Sequence, residues 1–258
     1  MAITADLRVN IDQFMAAGGK LLLSGTAGLD ESGAFAVDFG VRFEGKNEFC
    51  PTYLRPAFDL EPNGMTSYVM YSSNYRIGLS ADFNGEVTAS CVDPYFNRDY
   101  RHFCSHRHTP YDREALSNAV VVTENVAYIG WNIFGEYAEQ GSLHLRKLVE
   151  DTVERLIGAT KTLSTNLPSC GVTTLMRQGD RLVNHLLYGV AKVRGKGVEV
   201  IEDLPTVANT VCTVKVDVAP RRIYLAPAME ELPFTYEAGT VTYTVPAFSC
   251  GTMVVIES

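Results

Sequence analysis

One segment, YFNRDYRHFCSHRHTPYD at residues 95–112, concentrates the side chains that could do chemistry. It holds His102, Cys104, His106 and His108 at a spacing of i, i+2, i+4 and i+6. Imidazole and thiolate are ligands that zinc prefers. On a strand these four side chains would share one face, but the outer two would lie roughly 20 Å apart at about 3.3 Å per residue. Since a ligand atom sits only about 2.0–2.3 Å from zinc, one ion cannot bind all four, and no metal site is predicted.

Three interpretations of this segment stay open. It is an ordered polar loop whose imidazoles bond to backbone carbonyls, a surface that contacts a ligand or partner, or a curled loop that binds a metal. A Cys104–His pair for nucleophilic catalysis is also conceivable, but side chains two residues apart on a strand do not aim at each other. The candidates for ligand or interface contact are Arg98, Arg101, His102, Cys104, His106, Arg107 and His108.

Other sequence motifs add no catalytic machinery. GxSxG, GxGxxG and P-loop patterns are all missing from the sequence. The acids Asp82, Glu124, Glu136 and Glu139 are scattered, and we interpret them as solvated surface groups because no spacing singles out a pair. The sequence therefore predicts no catalytic residue and no cofactor.

Composition limits the classes of protein to consider. The chain has 258 residues, a net charge of −8, 46% hydrophobic and 20% charged residues, which is typical of a soluble globular protein. No apolar run reaches the roughly 18 residues that span a bilayer, and the acidic balance argues against nucleic acid as a partner. The N-terminus does not resemble a signal peptide. Six scattered cysteines predict reduced, mostly buried thiols and hence a cytoplasmic location.

Periodicity predicts the elements of the first half. Leu7, Ile11, Phe14 and Met15 form one apolar helical face. The run Leu21-Leu22-Leu23 follows and predicts a strand buried on both faces, as in a parallel sheet. A helix followed by such a strand is the second half of a βαβ unit, so the sequence predicts a chain that begins mid-fold. The next clear elements are a hairpin of 119–122 with 126–133, and a helix that starts at Ser142 and stops at Gly158.

After Thr160 the pattern changes to alternation with a period of two. Examples are Cys212, Val214 and Val216, and later Val241, Tyr243 and Val245. About ninety residues of short alternating strands predict a small all-β sandwich. The boundary is placed within 164–170, which gives predicted domains at 1–164 and 165–258.

Four stretches in a fixed order carry a resemblance to a known family. They are GGKLLLSGTAGLD, the segment YFNRDYRHFCSHRHTP, the stretch VAYIGWNIFGEYAEQGSLHLRKLVEDTVERLI, and the tail that runs from LVNHLLYGV to GTMVVIE. Over about residues 6–257 the chain resembles the C-terminal half of bacterial glycoside hydrolases related to family 42 β-galactosidases and to α-L-fucosidases. The resemblance implies an N-terminally truncated α/β domain of the class I glutamine-amidotransferase-like (flavodoxin-like) kind, called the β-galactosidase trimerisation domain, followed by a small all-β sandwich.

The resemblance also implies a function. The catalytic barrel of these hydrolases and the nucleophilic cysteine of amidotransferases have no counterpart in this sequence. We therefore expect a non-catalytic accessory and oligomerisation region, in a homo-oligomer suspected to be a trimer, with the missing barrel of the parent chain as partner. The 95–110 segment is then expected to contact that barrel or a neighbouring subunit. The alternatives are a stand-alone hydrolase or amidotransferase-like enzyme that uses the His102–His108 loop, and a sugar-binding module.

Overall fold

The computed structural model describes residues 2–57 and 67–258. The chain divides into two compact units, one up to Ala159 and one from Thr160 to Ser258. It is mostly β, with 47% strand and 15% helix. No described helix is long and apolar enough to cross a membrane.

The first unit combines three helices with eight strands among its described residues. The helices are α1 (Ala5–Ala16), α2 (Ile133–Gln140) and α3 (Leu143–Ile157). The strands are β1 (Leu21–Ser24), β2 (Val41–Lys46), β3 (Thr52–Pro56), β4 (Tyr68–Met70), β5 (Tyr75–Leu79), β6 (Gly85–Pro94), β7 (Tyr111–Thr123) and β8 (Val126–Ile129). A short 3-10 turn, Gly158–Thr160, follows α3.

Six of these strands form one mixed sheet in the order β1-β8-β7-β6-β3-β4, and β2 pairs with β5 in a separate ribbon. Only β1 and β8 are parallel; the other pairs are antiparallel. The run Leu21–Leu23 is packed on both faces but only half-buried, because β1 lies at the edge of the sheet. Its parallel pairing agrees with the prediction.

Helix α1 forms where the periodicity predicts it. The hydroxyl of Thr4 accepts a hydrogen bond from the backbone N–H of Leu7 at 3.4 Å and so begins the helix. Gly18 follows the last turn at φ +87°, a conformation that glycine adopts without steric cost. Of the predicted apolar face, Ile11 and Met15 pack against the sheet, while Leu7 and Phe14 stay exposed.

The sheet has a hydrophobic core on each face. Leu54, Cys91 and Trp131 are fully buried with Leu145 and Leu148 of α3 on one face. The core on the other face is formed by residues of β5, β7 and β8 and by two residues of the loop between β1 and β2. Its members are Val37, Phe39, Ile77, Val121, Val126 and Tyr128. The predicted helix after Ser142 is confirmed as α3.

Helix α2 is absent from the sequence prediction. The pattern there predicts a strand through Ile133, but β8 ends at Ile129 and α2 begins at Ile133. Its aromatic residues Phe134 and Tyr137 are exposed.

The second unit is built from strands alone. They are β9 (Leu163–Thr165), β10 (Gly171–Gln178), β11 (Arg181–Tyr188), β12 (Lys192–Gly195), β13 (Val198–Val200), β14 (Val207–Lys215), β15 (Arg222–Ala226), β16 (Glu230–Glu231), β17 (Phe234–Glu237), β18 (Thr240–Phe248) and β19 (Gly251–Glu257). One sheet has the order β10-β11-β19-β15-β16 and another β17-β18-β14-β9, while β12 and β13 form a separate ribbon.

These two larger sheets share one hydrophobic core. Alternate residues of β14 and β18 point into it, including Cys212, Val214, Val241 and Tyr243, as the period-two pattern predicts. Residues of β11, β15 and β19 meet them from the other sheet. The predicted boundary after Ser164 falls within β9, which pairs with β14, so the division between the units lies before that strand.

The cysteines differ from expectation. All six are free thiols, but only Cys91 and Cys212 are buried, so the prediction of mostly buried thiols is wrong. Burial, followed by the neighbouring Asp93 carboxylate, raises the pKa of Cys91 to about 12. Burial also raises the pKa of Cys212. Cys50, Cys170 and Cys250 are exposed.

These environments predict an order of chemical reactivity, because the thiolate is the reactive form of cysteine. Native protein treated with iodoacetamide at pH 8 should be alkylated at Cys50, Cys170 and Cys250, while Cys91 and Cys212 stay unmodified. In denaturant all six should react. Peptide mass spectrometry measures the modified fraction at each site, and rapid alkylation of Cys91 in the folded protein would contradict the described packing.

Candidate functional site

The segment between β6 and β7, residues 95–110, is an ordered, largely exposed loop, which we call the arginine loop. Strand β7 begins at Tyr111, so Tyr111 and Asp112 of the predicted segment 95–112 belong to that strand. The two ends of the loop meet where the N–H of Tyr95 donates to the carbonyl of Pro110 at 3.1 Å. The loop lies on the side of the sheet toward which the parallel strands β1 and β8 run, but β8 ends at Ile129 opposite Val120, nine residues along β7 from the start of that strand at Tyr111.

Four side-chain hydrogen bonds fix the base of the loop. The amide of Asn97 donates to the carbonyl of Glu48 at 2.8 Å and accepts from the N–H of Cys50 at 3.0 Å. The buried hydroxyl of Tyr53 donates to the carbonyl of Thr109. The hydroxyl of Thr109 in turn donates to the carbonyl of Phe96 at 2.8 Å. The loop therefore starts and ends at defined positions on the sheet.

Asp99 organises the first half of the loop. Its Oδ1 accepts hydrogen bonds from the backbone N–H groups of Arg101 and His102, both at 2.7 Å. Those bonds lower the pKa of the Asp99 carboxyl group. Nδ1 of His102 lies 3.3 Å from the same oxygen. Asp99 was not among the candidates predicted from sequence, although an acid next to a turn is a usual source of such bonds.

The predicted metal and nucleophile candidates do not converge. The thiol of Cys104 donates to the carbonyl of His106 at 3.1 Å, so its nearest polar partner is backbone and not an imidazole. The rings of His106 and His108 stack with centroids 5.9 Å apart. In the described part of the chain no three His, Cys, Asp or Glu side chains are grouped so that they could hold a metal ion.

The arginines of the loop lie over aromatic rings. The guanidinium carbon of Arg98 is 5.1 Å from the ring centre of Phe103, and that of Arg101 is 5.1 Å from the ring of Tyr100. Arg107 lies 5.3 Å from the ring of Tyr71, outside the loop. Tyr100 and Phe103 are 85% and 73% exposed. The loop thus presents cationic and aromatic surface to solvent, which suits contact with another molecule.

A buried polar cluster supports the strand that leads into the loop. Oδ2 of Asp93, near the end of β6, lies 2.6 Å from a guanidinium nitrogen of Arg76. Oδ1 of Asp93 accepts from the amide of Asn47 at 2.7 Å, and the same Arg76 nitrogen donates to the amide oxygen of Asn47 at 3.2 Å. Asn47 and Asp93 are both buried. Each member has partners within the cluster, so the charges are compensated.

A second buried carboxylate holds the segment beneath Arg107. Glu136 of α2 accepts hydrogen bonds from the N–H groups of Tyr71 at 2.6 Å and Ser72 at 2.9 Å, and from the hydroxyl of Ser72. Its exposed fraction is 4%, so the interpretation of Glu136 as a solvated surface acid is wrong. Nothing near Glu136 in the sequence reveals partners that lie 64 and 65 residues away.

Comparison with solved structures finds a close relative. The chain superposes on α-L-fucosidase isoenzyme 2 from Paenibacillus thiaminolyticus with a TM-score of 0.92 and 38% sequence identity. The match covers 99% of this chain and 39% of the fucosidase chain, so the chain spans well under half the length of that relative.

Two β-galactosidases are more distant. The enzyme from Bacillus circulans sp. alkalophilus has a TM-score of 0.49 and 12% identity, and the match covers 98% of this chain and 31% of the β-galactosidase chain. The enzyme from Rahnella sp. R3 has a TM-score of 0.46 and 13% identity, and the match covers 97% of this chain and 30% of the Rahnella chain. We base no inference on these two. No protein-family model and no curated protein matches the chain. The resemblance predicted from sequence is confirmed: along nearly its whole length, this chain is similar to a region of a glycoside hydrolase.

Proposed function

We propose that this chain is a non-catalytic accessory and oligomerisation region of a glycoside hydrolase of the α-L-fucosidase or β-galactosidase type. The observation that carries the proposal is the similarity to 39% of the fucosidase chain at 38% identity. A region of that size leaves most of such an enzyme outside the match. In this proposal the catalytic barrel, supplied by the parent chain, performs the hydrolysis.

The first unit is proposed to be an amidotransferase-like α/β domain of the trimerisation type. The parallel pair of β1 and β8 supports this, because helices cover β1 on both faces. Leu21 and Leu23 pack with residues of α1, whereas Leu22 packs with residues of α3. The antiparallel strands β7, β6, β3 and β4 extend the sheet beyond β8 and differ from the parallel strands of a doubly wound sheet. The arginine loop connects two of them, β6 and β7.

The described carboxyl groups do not single out a general acid. A glycosidase needs a general acid whose pKa is raised, so that it holds a proton at neutral pH. The described carboxyl groups whose pKa departs clearly from its ordinary value all depart downward: Asp30, Asp82, Asp99, Glu202 and Glu257. The alternative of an enzyme that uses Cys104 lacks support, because that thiol bonds to a carbonyl.

The arginine loop is proposed as the contact surface for the barrel or a neighbouring subunit. Arginine and aromatic residues are enriched at the centres of interfaces, since they combine large contact area with directional hydrogen bonds. The loop exposes Tyr95, Tyr100 and Phe103 around Arg98 and Arg101. Its fixed base lowers the entropy lost on binding, because the loop is already ordered.

A turnover measurement tests the non-catalytic part of the proposal. Purified chain should not hydrolyse aryl α-L-fucosides or aryl β-galactosides above the buffer rate. The control is an intact α-L-fucosidase under the same conditions. Turnover by this chain that disappears when one Asp or Glu is changed to its amide would overturn the proposal.

A loop variant tests the contact surface. The double variant Arg98→Ala with Arg101→Ala should weaken self-association, so that the chain sediments as smaller species. We expect the association constant to fall roughly tenfold, which corresponds to about 1.4 kcal/mol of lost contact energy. The matched control is Arg177→Ala with Arg181→Ala, two surface arginines of the second unit. Fluorescence of Trp131, the single and fully buried tryptophan, should show unchanged unfolding of the first unit. Equal association of both variants and the parent would contradict a role in self-association.

A further inference from the structure

Two arginines stand apart from all the others in this chain. Each other arginine forms an ion pair, donates a hydrogen bond or lies over an aromatic ring. Within residues 2–57 and 67–258, Arg55 and Arg113 have no such partner. Both are exposed to solvent. In a chain with a net charge of −8, two uncompensated cations at one place call for an explanation.

Both arginines line the same cavity. It has a volume of about 290 Å³, and the described residues around it are Arg55, Ser67, Tyr111 and Arg113. No carboxylate from the described ranges lines it. Ser67 and Tyr111 each contribute a hydroxyl group, which can donate a hydrogen bond. The described lining thus consists of hydrogen-bond donors, and its two charged groups, Arg55 and Arg113, are both positive.

The two arginines lie on the strands that flank β6. Arg55 is on β3, two residues after Tyr53, and Arg113 is on β7, two residues after Tyr111, where the pairing of β7 with β6 is irregular. The rings of Tyr53 and Tyr111 contact each other with centroids 4.8 Å apart. Because Tyr53 also bonds to Thr109, the cavity lies beside the base of the arginine loop.

The chemistry of these donors fits an oxyanion. A guanidinium group binds carboxylate and phosphate with two parallel hydrogen bonds, and it stays charged at all physiological pH values. The cavity volume is near the lower end of the roughly 300–1,000 Å³ found for small-molecule sites. We propose that this cavity binds the oxyanion group of a small organic ligand, a carboxylate or a phosphate. Arg55 and Arg113 would each donate to the anion, and Tyr111 and Ser67 would donate from the side.

The test is a nuclear magnetic resonance titration of ¹⁵N-labelled chain with sodium glucuronate, with sodium phosphate, and with the neutral sugar glucose at matched ionic strength. A saturable shift of arginine Nε–H signals is expected with one or both anions and none with glucose. Arg55→Gln and Arg113→Gln should each weaken binding at least roughly tenfold, the factor for about 1.4 kcal/mol of lost charge-assisted hydrogen bonding. Arg177→Gln in the second unit is the matched control and should bind like the parent.

The outcomes separate the sources of the anion. Saturation by glucuronate alone identifies a carboxylate site, and saturation by phosphate alone identifies a phosphate site. The emission of Trp131 confirms that each variant is folded. No saturable shift with either anion, or equal binding by the parent and the double variant Arg55→Gln with Arg113→Gln, would overturn the proposal. The result is independent of whether the chain is an accessory region of a glycosidase.

Discussion

The contact between the buried Asp93 carboxylate and the half-buried Arg76 guanidinium is the interaction on which the candidate surface depends. It lies at the end of β6, one residue before that strand ends, and Asn47 completes its hydrogen bonding. A buried charge is tolerated only when paired and hydrogen-bonded, and removal of one partner leaves the other uncompensated. Three separate segments must therefore meet in one arrangement at this point, and that arrangement sets where the arginine loop leaves the sheet.

This constraint divides the loop into a fixed base and an exposed tip. Asn97, Tyr53 and Thr109 tie the base to the sheet by hydrogen bonds. In the tip, Arg98 and Arg101 lie over the rings of Phe103 and Tyr100, and Tyr100 is 85% exposed to solvent. Glu136 extends the same principle to the neighbouring segment, since it orders Tyr71, over which Arg107 lies. The similarity to an α-L-fucosidase region gives this ordered surface a context in a larger enzyme.

The sequence predicts features that depend on local periodicity and misses those that depend on distant partners. Helices α1 and α3 and the alternating strand β18 follow from spacing alone. The edge position of β1 could not be predicted, because three leucines indicate burial without showing which neighbour is present. Helix α2 is missed because the apolar run from Val126 to Ile133 predicts a strand, whereas β8 ends at Ile129 and α2 begins at Ile133. The exposure of the loop follows from its polarity, but its supporting Asp93 and Glu136 bond to residues far away in sequence, which no local pattern reveals.

Hydrogen exchange of the Asp93→Asn variant tests the central claim most directly, because the change removes the charge and keeps the shape. Amides of residues 95–110 should exchange faster by a factor of roughly 10 or more, corresponding to at least about 1.4 kcal/mol of lost local stability. Amides of α3 and of the second unit should keep their protection, and the exposed control Glu139→Gln should match the parent. Unchanged exchange in the loop, or equal loss of protection throughout the first unit, would contradict the account.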